Sequence, residues 1–558
     1  MRPYGFALAE LLVLVFAGSV GISLAADTAN DTPTPFSIRG FKGCFWDGIG
    51  QYRLALPWAA AHDMNFLMLC YTSFPASAVD WRSEYTSVQK DQIRQLAGEA
   101  DDLGVNLCLS FNPGVASTPP LTYSSEKDYQ LAFEKVRDVH ALGVRWFALC
   151  LDDISGELEP VDMQRFGNLR NAHVYFVNRL WDDMKALTPN PRLIFCPSAY
   201  CNSGPAFVSI EAQPEYIEMI GQRIDQEIML FWTGPQVCSP SITATDARNV
   251  AKLLRRKPFV WDNYPVNDAF DWGPYMSPLK NRSAELADAC AGYMANAMKQ
   301  WHMCTIPLAT TAQYLLDPIH YDPDEAIEKV ICSYPPEQQG AIRLLVELYG
   351  HSFWGEPGFP PWPRPASQED AREMLPRYMS LREELSTNPA LHELWDDVRP
   401  MLEQNIEFLQ RKAGNRRVTS PLEAHGEDFT GGAAEMFGCH HYGRTVNFVY
   451  AKTTERSEMS VPFYLETVPD AGAALRIVAR GDGGGQPVHV QIALNDLLLV
   501  DGPSPFPCDS FESKTFDVSA TKLKTGANLL TVRNMESEGP LGNRPWFMVE
   551  EAVLIPRR

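Results

Sequence analysis

Two adjacent carboxylates, Asp152 and Asp153, close the apolar run Phe147-Ala148-Leu149-Cys150-Leu151. Like charges at the rim of an apolar interior are destabilising unless their titration is used, because burial and mutual repulsion both favour the neutral form. The chain has three other Asp-Asp pairs, at 101-102, 182-183 and 396-397, each in a polar, helix-patterned segment where a solvated face accounts for it. The 152-153 pair is different. One carboxyl that stays ionised beside another held protonated is the equipment of general acid and base catalysis. Neighbours in a regular strand face opposite ways, so the chain must splay or turn here if both are to serve one reaction, and the following Ser155-Gly156 permits that.

The elements that would position the pair follow from the pattern on either side. Short apolar runs alternate with helix-periodic stretches from about residue 37: 39-46, 65-72, 106-114, 145-153, 192-198, 227-235, 258-265 and 303-311. Continuous rather than alternating apolarity marks strands covered on both faces, hence a parallel sheet with crossover helices. Eight such units predict a closed (β/α)8 TIM barrel over 37-321, an α/β fold whose chemistry sits at the C-terminal strand ends. Several runs end in polar or turn residues there: Asn112-Pro113-Gly114, Asp152-Asp153, Ser198 before Tyr200, Thr233-Gly234-Pro235 and Asp262-Asn263. Residues 322-415 read as a helical bundle interrupted by the proline-rich GEPGFPPWPRPAS, and 425-558 as an antiparallel β-sandwich of jelly-roll type, structural or sugar-binding.

At 558 residues the chain exceeds one ordinary domain, and 45% hydrophobic with 21% charged residues is a normal globular composition. A net charge of -21 repels nucleic acid and polyanionic surfaces, so a neutral or cationic ligand is expected and nucleic acid is not. The N-terminus carries one Arg, an apolar run from Leu11 to Ala17 and small residues ending Ser23-Leu24-Ala25, the pattern of a secretory signal over 1-25. The uncharged stretch from Leu11 to Ala26 is short for a bilayer span of about 20 residues, so export to a secreted or periplasmic location without a stable membrane span is the expectation. Most of the twelve cysteines lie in apolar runs and read as core thiols; Cys439 with Cys508 is a possible bridge. No His or Cys spacing is of a zinc-ligand type.

Taken together, six motifs make the segment from about Gly40 to about Asn296 resemble glycoside hydrolase family 84, the β-N-acetylglucosaminidases. They are GFKG (40-43) with Trp46, DWRSEY (80-85), FALCLDDI (147-154), FCPSAYC (195-201), FWTGPQV (231-237) and VWDNYPVND (260-268). The resemblance implies substrate-assisted, retaining hydrolysis through an oxazoline intermediate, with no metal or organic cofactor taking part. Asp153 would be the general acid and base, and Asp152 would orient the substrate's acetamido group. It also implies that Tyr200, Trp261, Asn263, Asp268 and Asn296 line the sugar site and that the Gly40 carbonyl approaches a ring hydroxyl. The partner would be a glycan or glycoconjugate bearing N-acetylglucosamine.

Three positions depart from the family pattern. Cys70-Tyr71-Thr72-Ser73-Phe74 replaces the segment that carries a sugar-contacting Lys after strand 2, Lys42 replaces a Tyr in the first motif, and Ala295-Asn296-Ala297 replaces Thr-Asn-Pro. Two alternatives therefore stand beside the hydrolase: a catalytically weak, carbohydrate-binding relative of the same fold, and a metal-dependent barrel hydrolase, against which the lack of a third matching ligand argues.

Overall fold

The computed structural model describes residues 36-44, 46, 48-115, 119-154, 156-202, 213-268, 274-350, 368-413, 422-434, 440-441, 444-539, 542 and 544-557. The expected signal over 1-25, Ser155 and Cys439 lie outside them. The first eight strands are β1 (Arg39–Lys42), β2 (Phe66–Leu69), β3 (Asn106–Phe111), β4 (Trp146–Cys150), β5 (Arg192–Cys196), β6 (Met229–Trp232), β7 (Phe259–Pro265) and β8 (Gly292–Asn296). They close into a parallel barrel in sequence order, with helices between successive strands.

The side-chain period of two sorts each strand into two cores. On β4, Phe147 and Leu149 join the layer beneath the helices, while Ala148 and Cys150 fill the barrel interior with Phe66, Met68, Ile194, Phe231, Phe259 and Met294. Both layers are apolar, which is why these runs lack alternation.

The eighth strand differs from expectation. Residues 303-311 lie inside the helix Trp301–Leu316, and β8 is the short run Gly-Tyr-Met-Ala-Asn before it. Twelve residues of that helix are buried, including Cys304, Ile306 and Leu308, and none is fully exposed, so its mostly apolar sequence resembles a core strand. Periodicity does not separate a fully buried helix from a fully buried strand.

Helices at Pro323–Ser333, Pro336–Tyr349, Gln368–Thr387 and His392–Lys412 follow, and their buried residues continue the outer layer of the barrel in one apolar cluster reaching Ala413. The remaining strands are β9 (Glu423–His425), β10 (Thr430–Gly431), β11 (His440–His441), β12 (Arg444–Thr445), β13 (Asn447–Tyr450), β14 (Glu458–Leu465), β15 (Ala473–Asp482), β16 (His489–Leu494), β17 (Leu497–Pro503), β18 (Glu512–Val518), β19 (Gly526–Asn534) and β20 (Trp546–Pro556). They form two antiparallel sheets, β10-β14-β19-β16-β17 and β13-β20-β15-β18 with β9 on β20, beside a small β11-β12 hairpin. Here alternation returns: along β14 Met459, Val461, Phe463 and Leu465 are buried between more exposed residues and meet Leu475, Ile477 and Val549 of the other sheet. Among the described residues no helix is long and apolar enough to cross a membrane, and nine of the described cysteines are buried.

Candidate active site

The interior-facing positions at the C-terminal strand ends converge on one cavity of about 280 Å³. Parity along β4 explains how Asp152 reaches it. Ala148 and Cys150 face inward, Leu151 packs in the outer layer, and Asp152 faces inward again. By the same alternation Asp153 would point away. It does not, because its backbone takes the left-handed conformation at φ 47° and turns the chain at that residue. Both carboxyls line the cavity. A non-glycine residue in this region is strained, and Asp tolerates it better than most.

The two acids have unlike settings. Asp152 is buried, with 6% of its surface exposed. Tyr71 Oη donates to its Oδ2 at 3.2 Å, and Asn112 Nδ2 donates to its Oδ1 at 3.3 Å and its backbone carbonyl at 3.2 Å. Asn112 is itself fixed by the Gly114 and Val115 amides, which donate to its Oδ1 at 3.1 and 3.0 Å. Asp153 stands at the mouth, exposed, and among the described residues accepts one side-chain bond, from Tyr200 Oη at 2.9 Å.

Burial, then the neighbouring Asp153 charge, pushes Asp152 up to about 7, with Lys42 and the Tyr71 hydrogen bond opposing. Asp153 is also raised, by withdrawal of water on its cavity side, despite the Tyr200 bond and its exposed edge. Donor count favours a charged Asp152 and burial favours a neutral one, so the pair is best treated as a unit that shares one proton near neutral pH. Burial, reinforced by the acids, raises the hydroxyls of Tyr71 and Tyr200, which therefore remain donors.

Opposite the acids, β7 and β8 supply a connected polar wall. Trp261 Nε1 and Asn296 Nδ2 both donate to Asn263 Oδ1 at 2.9 Å, and Asn263 Nδ2 donates to the Val237 carbonyl at 2.8 Å. Trp261 is thus a buried aromatic face held by its own ring nitrogen. Asp268, in the loop after β7, is exposed and completes the rim. Asp262, between Trp261 and Asn263, faces the other way into a buried ion pair with Arg282, Oδ1 to Nη2 at 2.7 Å and Oδ2 to Nε at 2.8 Å.

Of the residues singled out from sequence, Asp152, Asp153, Tyr200, Trp261, Asn263, Asp268 and Asn296 meet in this cavity. Gly40 does not line it. It lies two residues below Lys42 on β1, a drop of about 6-7 Å, paired with Phe66 and Met294, where a Cβ would meet the Phe66 carbonyl oxygen at 1.7 Å. The glycine there serves close strand packing, and Lys42 occupies the lining position. Tyr71 and Asn112 were not picked out as site residues. Strand parity was the available signal for Asn112, which follows inward Cys108 and Ser110 on β3, whereas no sequence pattern marks Tyr71. Thr72, which replaces the family lysine, also lines the cavity. Among the described residues the one cluster with metal-ligand proximity, Glu423, His425 and Glu551, is on β9 and β20 of the C-terminal sheets.

A closed parallel barrel with paired acids and an aromatic-walled polar cavity at its C-terminal strand ends is the architecture of barrel-type glycoside hydrolases. The particular family follows from comparison with known proteins: a family model described as beta-N-acetylglucosaminidase matches residues 37–347, and the chain belongs to that family. Protein O-GlcNAcase of Rattus norvegicus is 27% identical over 234 residues, 42% of this chain and 25% of the relative. That of Mus musculus is 26% identical over the same length. The match thus spans about a quarter of the length of these curated relatives. Among solved structures, a mutant of the Thermobaculum terrenum O-GlcNAc hydrolase superposes with a TM-score of 0.58 at 24% identity, covering 68% of this chain and 83% of that one. CpGH84B superposes at 0.55 and 18% identity, covering 68% of each chain. At these identities the structures establish the shared fold.

Proposed function

We propose that the protein is an exported retaining β-N-acetylglucosaminidase that releases terminal N-acetylglucosamine from a glycan or glycoconjugate by substrate-assisted hydrolysis. The observation that carries this reading is the asymmetry of the acid pair. Asp152 is deep and receives two side-chain donors, and Asp153 is at the mouth with one. A sugar seated against Trp261 places its acetamido group toward the deep acid and its leaving oxygen toward the outer one.

In the first half-reaction the acetamido oxygen attacks the anomeric carbon while the bond to the leaving oxygen breaks and Asp153 gives that oxygen its proton. Asp152 accepts the amide N–H, orienting the nucleophile and stabilising the positive charge that develops on it. In the second, Asp153 takes a proton from water, which opens the oxazoline and restores the acetamido group, so the anomeric configuration is retained. The relatives' O-GlcNAcase and O-GlcNAc hydrolase descriptions support the sugar class.

Leaving-group chemistry tests the two roles. Asp153→Ala is expected to be severe for an alkyl glycoside and mild for an activated aryl one, which departs without protonation. Asp152→Ala is expected to be severe for both. Equal loss of the Asp153 variant on both substrates, or rapid turnover of an aryl glucoside lacking the acetamido group, defeats the reading. So does binding without hydrolysis by wild type, the behaviour of a weak carbohydrate-binding relative. Export is tested separately: protein recovered outside the cytoplasm is expected to begin at Ala26, and an intact Met1 terminus there defeats it.

A further inference from the structure

Lys42 ends β1 with its ammonium in the cavity, buried to 5% exposure. Its Nζ donates to Cys70 Sγ at 3.5 Å and stands 4.8 Å from the Trp261 ring centroid. An ammonium carries three donors. Among the described residues one of them is used, on a weak sulfur acceptor. Burial opposes the charge, but Cys70, Cys44 and Asp268 more than offset it and hold the group protonated. The charge is thus favoured by its surroundings, Asp268 among them, while among the described residues two of its three donors have no protein acceptor.

The register neighbour of Lys42 on β8 is Asn296, and it presents the complementary deficiency. Asn296 Oδ1 is buried without a hydrogen-bond partner. Its orientation is set by a chain of obligatory donors. Trp261 Nε1 can only donate, so Asn263 must turn its oxygen toward it, and Asn296 must then turn its nitrogen toward that same oxygen. What remains is an unused donor on one strand and an unused acceptor on the next, both facing the cavity. A hydroxyl is the group that satisfies both, because it accepts and donates at once.

We infer that Lys42 and Asn296 hold one ring hydroxyl of the sugar, the ammonium donating to its oxygen and the hydroxyl donating to Asn296 Oδ1. Lys42 is then a specificity-determining residue. The inference rests on the proposed N-acetylglucosaminide substrate. It also accounts for the departure after β2: Thr72, in place of the family lysine, donates to the same Cys70 Sγ at 3.2 Å, and the cation reaches the cavity from β1 instead.

The test compares wild type and Lys42→Met on an aryl β-N-acetylglucosaminide and on the three analogues that each lack one free ring or side-arm hydroxyl. Binding of the matching non-hydrolysable thioglycosides is measured in parallel. A hydrogen bond to a charged group is worth about 1.5-3 kcal/mol, so Lys42→Met is expected to lose about 10- to 150-fold on the parent compound. On one deoxy analogue, already poor for wild type, the same substitution is expected to cost less than about 3-fold. Removing a charge that the fold favours is expected to lower the melting temperature, so the losses are compared between substrates within the variant and do not depend on its stability. An equal loss on all four compounds, or no loss on the parent, overturns the assignment. Coupled loss in thioglycoside binding without hydrolysis by wild type overturns the proposed activity and leaves the Lys42 contact standing.

Discussion

Replacing Asn263 with Ala removes the junction of the cavity wall. Three protein hydrogen bonds end on this side chain: Trp261 Nε1 and Asn296 Nδ2 donate to its oxygen, and its nitrogen donates to the Val237 carbonyl. A buried group left unpaired costs about 1-3 kcal/mol, but Asn263 is half-buried and cavity water can reach part of the vacated space, so roughly 1 kcal/mol per bond is appropriate. The sum is about 3 kcal/mol, or roughly 6 °C in the melting temperature of a barrel of this size. The loss is expected in the barrel transition of a calorimetric scan and not in that of the C-terminal sheets. Activity should fall as well, because the Trp261 ring and the Asn296 amide lose their common anchor and the remaining Asn263 N–H is no longer offered to the sugar. A loss of about 10- to 100-fold in kcat/KM corresponds to roughly 1.4-2.7 kcal/mol of transition-state binding. Asn263→Asp keeps the acceptor for both donors while losing the bond to Val237, and should sit between the variant and wild type in stability. A melting temperature for Asn263→Ala within 1 °C of wild type, about the resolution of such a scan against a roughly 6 °C expectation, would refute the network argument whatever the kinetics.

Three further outcomes follow from the same geometry. Asp268→Ala, at the exposed rim, should lower kcat/KM with a smaller loss of melting temperature than Asn263→Ala, because the fold loses the support that Asp268 gives the Lys42 charge and not a junction of the cavity wall. The acid pair binds its shared proton more tightly folded, Asp152 being raised to about 7 and Asp153 raised as well, so the unfolded chain ionises first as pH rises and wild-type stability should fall between about pH 4 and 7 and then level. Asp152→Asn breaks up the pair: urea unfolding should show a shallower fall in stability from about pH 4 to 8 than in wild type, and equal slopes across this range would contradict the raised titration of the pair. Asp262→Ala takes from the buried Arg282 guanidinium its carboxylate, a loss of about 3-5 kcal/mol, so the variant should be strongly destabilised although the bonds to the Ser239, Pro240 and Lys280 carbonyls remain, while replacing both with apolar residues recovers stability. Soluble, fully stable Asp262→Ala protein would place the ion pair outside the fold's requirements.

Alternation of apolar runs with amphipathic segments by itself determined a parallel barrel, because strands buried on both faces must be apolar throughout and the crossovers between them must be helical. It also singled out Asp152 and Asp153, since adjacent carboxylates that close such a run are costly unless their titration is used. Apolarity did not reveal which run was the eighth strand: the helix Trp301–Leu316 is mostly buried, and Gly-Tyr-Met-Ala-Asn is too short and too small to announce itself. Nor did adjacency of Asp152 and Asp153 determine that both reach one cavity. That was decided by the positive φ at Asp153, a backbone state a sequence permits in many places and tertiary packing imposes in few. The same holds for depth. Gly40 and Lys42 lie on the same side of β1, but closure of the barrel sets the floor of the cavity between them, so the lysine lines it and the glycine packs beneath. Residue type and parity are local properties, written along the chain. Which inward residue ends in a charged cavity, with which neighbour unsatisfied beside it, depends on the register between strands distant in sequence, as between Lys42 and Asn296, and only the closed barrel fixes that.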